Sequence, residues 1–404
     1  MEKGMKALSD KSIRRLILDA ILGSLLFAAC TYLFYHQAIW TPGSLFPSDL
    51  SEHIRLITMG HRYSLIAAFL SVIIQHAPNA PLSIALFEAA LVVATWMVSA
   101  CFIKKFFGKG IDHPELVALP LLFLASCYMP VEEIGFYRGS LVTQPWHNIT
   151  YIGMRLFAVL TMLFFVEVLQ KPGSKMPSVR DWLLVSISLA LSTSAKPNFL
   201  LTFGLTLAIY VVVKFGLAVY HGDDLAAAVK SALAMGSVVI PSLVILKMQS
   251  QQLYGAADST GQESGIVLQF LESQFFADGV HIAVIKIVTA LLFPTLLLLI
   301  QRKSSTDADR FFFWHYLAAI AIVIVLAETG PRATHGNFVW GLYGAAYLLY
   351  LWFVPWLVSS CKRQFAEVGR IGGLNVACAA LLTCQFLSGA KYFLLVLSGQ
   401  PYFV

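Results

Sequence analysis

Apolar runs of about twenty residues return again and again along this chain, and their recurrence limits the fold more than any motif does. A run of that length matches the hydrocarbon thickness of a bilayer when helical, and a water-soluble core of this size has no need of so many. They fall near 16–36, 82–103, 115–131, 149–170, 181–195, 198–218, 229–247, 280–301, 310–328, 338–360 and 372–395. Composition agrees, with 58% hydrophobic and 12% charged residues in 404. The fold expected is therefore all-α: a polytopic integral membrane protein of about eleven transmembrane helices. The basic start followed by the apolar stretch Leu16 to Tyr35 is too long for a signal peptide and reads as an uncleaved first helix. The stretch 62–76, "RYSLIAAFLSVIIQH", is short and bounded by "HAPNAP", which suits an interfacial or re-entrant helix.

Sidedness follows from where Lys and Arg collect. Basic residues in short loops stay cytoplasmic, and "MEKGMKALSDKSIRR", "KKFFGKG", "QKPGSKMPSVR", "QRKSSTDADR" and "CKRQFAEVGR" all fall on one side of the eleven-span arrangement. That side holds about 19 basic residues against about seven on the other, which puts the N-terminus in the cytoplasm and the C-terminus outside. The net charge of +6 thus reports orientation in a membrane, bacterial inner (cytoplasmic) by expectation. It does not point to nucleic acid, since no basic patch interleaved with aromatics occurs. Residues 1–404 read as a single transmembrane domain, with 37–81 as a first extracytoplasmic loop carrying an amphipathic helix and 248–278 as the longest later outer loop. Within the latter, "IVLQFLESQFF" suits a short surface helix. The six cysteines lie in or beside apolar runs without metal spacing and read as packing residues.

The unusual polar residues then gather on the outer face. Ionisable groups at membrane depth are costly unless they face a cavity or one another, so these clusters are the functional candidates. "SDLSEHIR" supplies Asp49, Glu52 and His53, with Ser48 in position to cap a helix. Asp49, at the entry of a segment that soon turns apolar, is the candidate base; Glu52, three residues on, suits either a second acid or an ordinary solvated helix face. "EEIGFYRGSLVTQPWHN" supplies Arg138, His147 and Asn148, the last two equally suited to capping the helix that carries Arg155 two turns further in. "TSAKPN" places Lys196 and Asn198 at a break between two apolar helices, on the face where positive charge is disfavoured; a bound phosphate accounts for that lysine better than snorkelling does. "ETGPRATHGN" adds Arg332, His335 and Asn337 beside Gly336. Asp49 with Glu132 and Glu133 offers oxygen ligands for a divalent cation, although nothing in the spacing fixes such a site, and no cofactor is called for. No nucleophile elbow, Walker loop, zinc-protease helix or dinucleotide fingerprint occurs.

An acid in the first outer loop, a following amphipathic segment and then "APLSIALFEAAL" opening the next span resemble, in that order, the GT-C superfamily of polytopic glycosyltransferases. "QPWHNITYIGMRLF", "STSAKPNFLLTF" and "THGNFVWGLY" together are similar to a group of bacterial membrane proteins related to that superfamily. The resemblance implies transfer of a sugar from a polyprenyl-phosphate-linked donor to an envelope glycan, lipid or protein acceptor, as in polysaccharide biosynthesis, on the extracytoplasmic side. It implies Asp49 as base or metal-assisting acid, with Glu52 as the substitute in another register, and Lys196, Arg332 or His335 as holders of the donor phosphate. The tandem acidic pair of many members is replaced here by two acids with two residues between them. Two other classes suit the same residues: a transporter or flippase of lipid-linked glycans, and a non-catalytic scaffold of an envelope-synthesis complex.

Overall fold

The structure, a computed structural model, describes residues 10–41, 44–60, 64–125, 143, 145–171, 177–254, 265–272, 276, 279–301, 305–330 and 336–400. Fourteen helices occur among the described residues: α1 (Asp10–Ala38), α2 (Leu50–Thr58), α3 (Leu65–His76), α4 (Ala80–Phe107), α5 (Pro114–Leu121), α6 (Ile149–Gln170), α7 (Val179–Ala195), α8 (Asn198–Tyr220), α9 (Leu225–Gly236), α10 (Ile240–Tyr254), α11 (Val280–Gln301), α12 (Asp307–Val325), α13 (Val339–Val368) and α14 (Gly373–Leu397). A single turn of 3₁₀ helix, Ser237–Val239, joins α9 to α10 into one long rod. Among the described residues eight rods are long and apolar enough to cross a membrane: α1, α4, α6, α8, the α9–α10 rod, α12, α13 and α14. The stretches 181–195 and 280–301 appear as α7 and α11.

Two local expectations change. The run 115–131 is not one helix, because α5 ends at Leu121 and the chain is drawn off to bond elsewhere: Ala125 N–H donates to Gln385 O of α14, and Leu124 O accepts from Thr143 N–H. Gly389 permits this approach, since a Cβ there would lie 1.8 Å from Phe123 O. The surface helix expected after residue 265 is a strand instead. Gly265–Leu268 (β1) pairs antiparallel with Leu326–Thr329 (β2), Ile266 opposite Glu328, so β-branched residues next to a waiting edge override helical spacing. Asp49 stands at the cap position of α2 but its side chain makes no capping bond; Ser48 Oγ accepts from the first helical N–H, that of Leu50.

Local chemistry sets the helix ends that matter. Asn148 accepts from Tyr151 N–H and opens α6; Ser64 accepts from Ala67 N–H and opens α3. At twelve residues α3 is too short to span and packs against α4, α6 and α7. Its approach to α6 is close enough that a Cβ on Gly153 would lie 2.6 Å from the Ile66 Cδ1 atom. Pro197 separates α7 from α8, leaving Lys196 in extended backbone between them.

Helix α13 is the axis of the bundle. It is buried for most of its length and touches α4, α5, α6, α8, α11, α12 and α14, whereas α1 and the α9–α10 rod turn apolar side chains outward, as lipid-facing helices do. The two ends of the bundle differ. At one end ion pairs knit neighbouring helices together: Arg15 with Glu115 at 2.6 Å, Lys362 with Asp112 at 2.9 Å, Lys214 with Asp307 at 2.8 Å, Lys105 with Glu167 and Lys171 with Asp181. The other end gathers the α1–α2 connection and the starts of α6, α8 and α13.

The Gly389 contact gives a direct test of this packing. Gly389→Ala forces its methyl into the backbone at residues 123–124 and should destabilise by about 3 kcal/mol, the upper end for overpacking. Gly216→Ala, where an added Cβ meets nothing within 4 Å, is the control and should melt like the parent in detergent.

Candidate functional site

The site forms where the start of α2 meets the start of α6. Asn148 Nδ2–H donates to Asp49 Oδ2 at 2.6 Å. The same amide's oxygen accepts from Tyr151 N–H at 2.9 Å and from the Thr150 hydroxyl at 2.8 Å, and Lys196 Nζ in turn donates to Thr150 Oγ1 at 3.2 Å. One hydrogen-bonded line thus runs from carboxylate to ammonium across three chain segments. Ser48 anchors the loop by donating to the His147 carbonyl at 3.1 Å while accepting from Leu50 N–H. His53, one turn into α2, brings Nε2 to 3.6 Å from Asp49 Oδ2.

Asp49 feels opposing influences. Burial raises its carboxyl, but the hydrogen bond and charge of His53, with the charges of His147 and Lys196, together hold it below the ordinary carboxylate value. It is therefore ionised at neutral pH. His147 is pushed the other way by burial, down to about 4, against the pull of Asp49 and helped by Lys196 and His53. Its ring lies 5.5 Å from that of Trp340, and Lys196 Nζ stands 5.0 Å from the centre of the same indole. Trp340, on the first turn of α13, thus lies beside both the neutral His147 ring and the Lys196 ammonium.

The remaining candidates divide. Glu52 lies apart: it pairs with Arg55 at 2.6 Å on the exposed side of α2, and that bond holds its carboxyl below the ordinary value. Asn198 donates to Asn337 O, and Asn337 Nδ2–H donates to Glu328 Oε2 at 2.7 Å, so these two amides tie α8 to the β2–α13 connection beside the Lys196 position. Arg155 is wholly buried, 4.7 Å over the Tyr347 ring, with Nη1–H donating to Thr143 O at 3.1 Å. Asn148 is buried too, so although Asn148 and Thr150 match a glycosylation sequon the amide is not accessible in the folded chain. Arg138, Arg332, His335, Glu132 and Glu133 lie outside the described residues. Among the described residues no three His, Cys, Asp or Glu side chains converge as a metal site.

Two groups of the interior were not among the candidates. Glu88 on α4 and Gln37 on α1 are buried, and Glu88 Oε1 and both amide atoms of Gln37 have no hydrogen-bond partner. The signal for Glu88 was present in "APLSIALFEAAL", since a lone acid inside an apolar span is costly and needs a reason. Gln37 had no such signal.

No family model matches this chain, and no curated protein does. Among solved structures, the crystal structure of ArnT from Cupriavidus metallidurans bound to undecaprenyl phosphate is similar over 95% of this chain and 77% of its own, at 12% identity and a TM-score of 0.48. At that identity and score no residue's role carries across.

The His147 value sets a pH window. The folded chain binds this proton only near pH 4, whereas the unfolded chain binds it near the ordinary 6.5, so stability rises with pH between the two and is lost as pH falls through them. Asp49, held below its ordinary 3.8, contributes a loss only at lower pH. Melting temperature in detergent should fall between pH 6.5 and pH 4, and His147→Gln should remove part of that fall. An unchanged slope in the variant would assign the loss to other groups.

Proposed function

We propose that this chain transfers a sugar from a polyprenyl-phosphate-linked donor to a hydroxyl acceptor, with Asp49 as general base and Lys196 at the donor phosphate, on the extracytoplasmic face of a bacterial inner membrane. The observation that carries the reading is the fixed line Asp49–Asn148–Thr150–Lys196, which holds an ionised carboxylate and an ammonium at set positions on one end of a membrane bundle. Asn148 and His53 engage Asp49 Oδ2, while Oδ1 has no partner and is the oxygen left to take a proton. As Oδ1 takes the acceptor's hydroxyl proton, the acceptor oxygen bonds to the anomeric carbon and the bond from that carbon to the phosphate oxygen breaks. Both electrons leave with the polyprenyl phosphate, whose added charge the Lys196 ammonium offsets. Trp340 offers a flat apolar face beside that ammonium, suited to a sugar ring or the first prenyl unit.

Sidedness rests on the difference between the two ends. The end opposite the site carries Arg15, Lys105, Lys171, Lys214 and Lys362 in ion pairs, and positive charge of that density belongs in the cytoplasm. A transport path has less support, since polar groups would have to continue through the bundle. Beyond Tyr347 the buried side chains of α13 are mainly apolar, Leu348, Leu349, Leu351, Phe353 and Val354, with Tyr350 and Trp352 among them.

Asp49→Asn keeps the shape but removes the proton acceptor, and should abolish sugar transfer in proteoliposomes while leaving the melting temperature near the parent's. Full activity in that variant would take Asp49 out of the mechanism. Lys196→Ala should weaken binding of polyprenyl phosphate by about 1–3 kcal/mol, the worth of a charge-assisted hydrogen bond. For sidedness, Lys109→Cys in intact cells should resist an impermeant maleimide; ready labelling would invert the arrangement.

A further inference from the structure

At the end of the bundle opposite Asp49, a cavity separates α8 from α9. The two helices leave the turn 221–224 side by side, and the space between them is about 500 Å³, the size of an ordinary ligand site. Its origin is in the sequence. The face of α9 turned to the cavity carries Ala227, Ala228, Ser231 and Ala232, at a spacing that puts all four on one side of the helix. Opposite them on α8, Tyr210, Lys214, Leu217 and His221 follow the same repeat. Four small side chains in succession leave the seam between the helices underfilled. Tyr210 and Met235, both almost wholly buried, mark its deep end. The cavity is thus a slot, roughly 16 Å long by the rise of α8 from Tyr210 to His221.

The lining changes in a fixed order from depth to mouth. Deep in the slot the Tyr210 hydroxyl is already bonded to Asp307 Oδ2 at 3.2 Å, and Val211 and Met235 leave an apolar wall. Lys214 comes one turn nearer the mouth. Its Nζ meets both oxygens of Asp307 at 2.8 Å, and an ammonium has a third N–H to give. Ser231 adds a hydroxyl from α9. At the mouth stand the carboxylates of Asp223 and Asp224, the second capping α9 by accepting from Ala226 N–H at 2.9 Å. The sequence of chemistries is apolar wall, donors, acceptors.

A phospholipid with an ammonium on its head has the matching order of chain, phosphate and ammonium. The surroundings suit it as well. Helix α8 and the α9–α10 rod are both long and apolar enough to cross a membrane, so the slot runs in the direction of a lipid chain. Val212, Val213 and Val219 of α8 and Val229 and Leu233 of α9 are exposed, which sets the hairpin against lipid and opens the slot to entry from the bilayer. Charge narrows the head. A purely anionic head would meet one lysine already paired and two carboxylates, whereas a trimethylammonium head has no N–H for those carboxylates to accept.

We infer that the slot between α8 and α9 binds a diacyl phospholipid whose head carries a primary ammonium, with its phosphate at Lys214 and Ser231 and its ammonium at Asp223 and Asp224. This site is separate from Asp49 and independent of the transfer reaction. The sidedness argued from the basic end makes its occupant a lipid of the cytoplasmic leaflet.

The full chain, purified and delipidated in detergent, is titrated by native mass spectrometry with three lipids of identical chains, whose phosphates carry ethanolamine, choline or glycerol. The parent should bind the ethanolamine lipid about tenfold more tightly than either of the others. Asp223→Asn combined with Asp224→Asn keeps the cap of α9, since Asn caps as well as Asp, and should reduce that preference to about twofold or less. Ala232→Leu fills the slot and should weaken all three lipids by about tenfold. Glu367→Gln, an exposed carboxyl near the end of α13, should behave as the parent does. If the parent binds the choline or glycerol lipid as tightly as the ethanolamine lipid, or the double variant keeps the parent's preference, the assignment of the head is wrong and the proposal falls. If Ala232→Leu, folded by its melting temperature, binds all three lipids as the parent does, they bind elsewhere and the proposal falls equally. Ala228→Leu serves as the second filling variant should Ala232→Leu not fold. None of these outcomes bears on Asp49, so the transfer reading stands or falls by its own experiments.

Discussion

The amide of Asn148 joins two demands that most proteins meet with separate residues. Its oxygen accepts from the open Tyr151 N–H at the start of α6, and its nitrogen fixes the Asp49 carboxylate. A helix start buried at the edge of a membrane bundle cannot leave its first N–H groups to water, so a side-chain acceptor is needed there in any case. Using an amide rather than a hydroxyl supplies a donor on the far side of the same planar group. Asp49 is thereby held to a rigid rod although it belongs to a connection between helices. Thr150 extends the coupling to Lys196, and so to the break between α7 and α8.

The loop that brings Asp49 to this partner is itself under constraint. Phe46 adopts φ of 65°, in the left-handed region a bulky side chain rarely enters. Its N–H donates to Gly399 O just beyond α14, and its ring stacks on His36 at 4.7 Å between centroids. A strained residue persists only where its surroundings over-determine it, and here α1 and the end of α14 do so. Pro47 and Ser48 follow, and Ser48 bonds to the His147 carbonyl next to Asn148. The carboxylate is thus located from both directions along the chain.

Much of this was legible in the sequence because lipid imposes so few solutions. The run 149–170 became α6 with the same ends, and the break at "AKPN" became the α7–α8 break, since Asn148 and Pro197 mark helix limits by their own chemistry. The cluster of Asp49, His53, His147, Asn148 and Lys196 was recoverable from sidedness, without knowledge of which helices touch. What escaped depended on contacts. Nothing local stops α5 at Leu121; the chain leaves because α14 offers Gln385 O and the notch at Gly389. Likewise "GIVL" is a strand only because Leu326–Thr329 runs beside it. Glu88 escaped for another reason: a search for clusters of charge passes over a single carboxyl in an otherwise apolar run.

That single carboxyl shows how the two ends of the bundle should be weighed. At the basic end several ionisable side chains meet partners, Glu115 the guanidinium of Arg15 at 2.6 Å and Asp309 the neutral indole N–H of Trp352 at 2.7 Å. Such pairs are explained by folding, since each side chain satisfies another. Toward the Asp49 end, one oxygen of the half-buried Asp49 has no partner, and neither do Glu88 Oε1 and two Arg155 donors under nearly complete burial. Burying an arginine with two idle donors is a poor way to stabilise a helix bundle, because leucine of similar reach would cost less. Among the described residues, buried atoms without a partner occur also on Asp19, Gln249, His315, Asn375 and Gln385, so it is the charge of Arg155, rather than the place of the unfilled groups, that sets its idle donors apart.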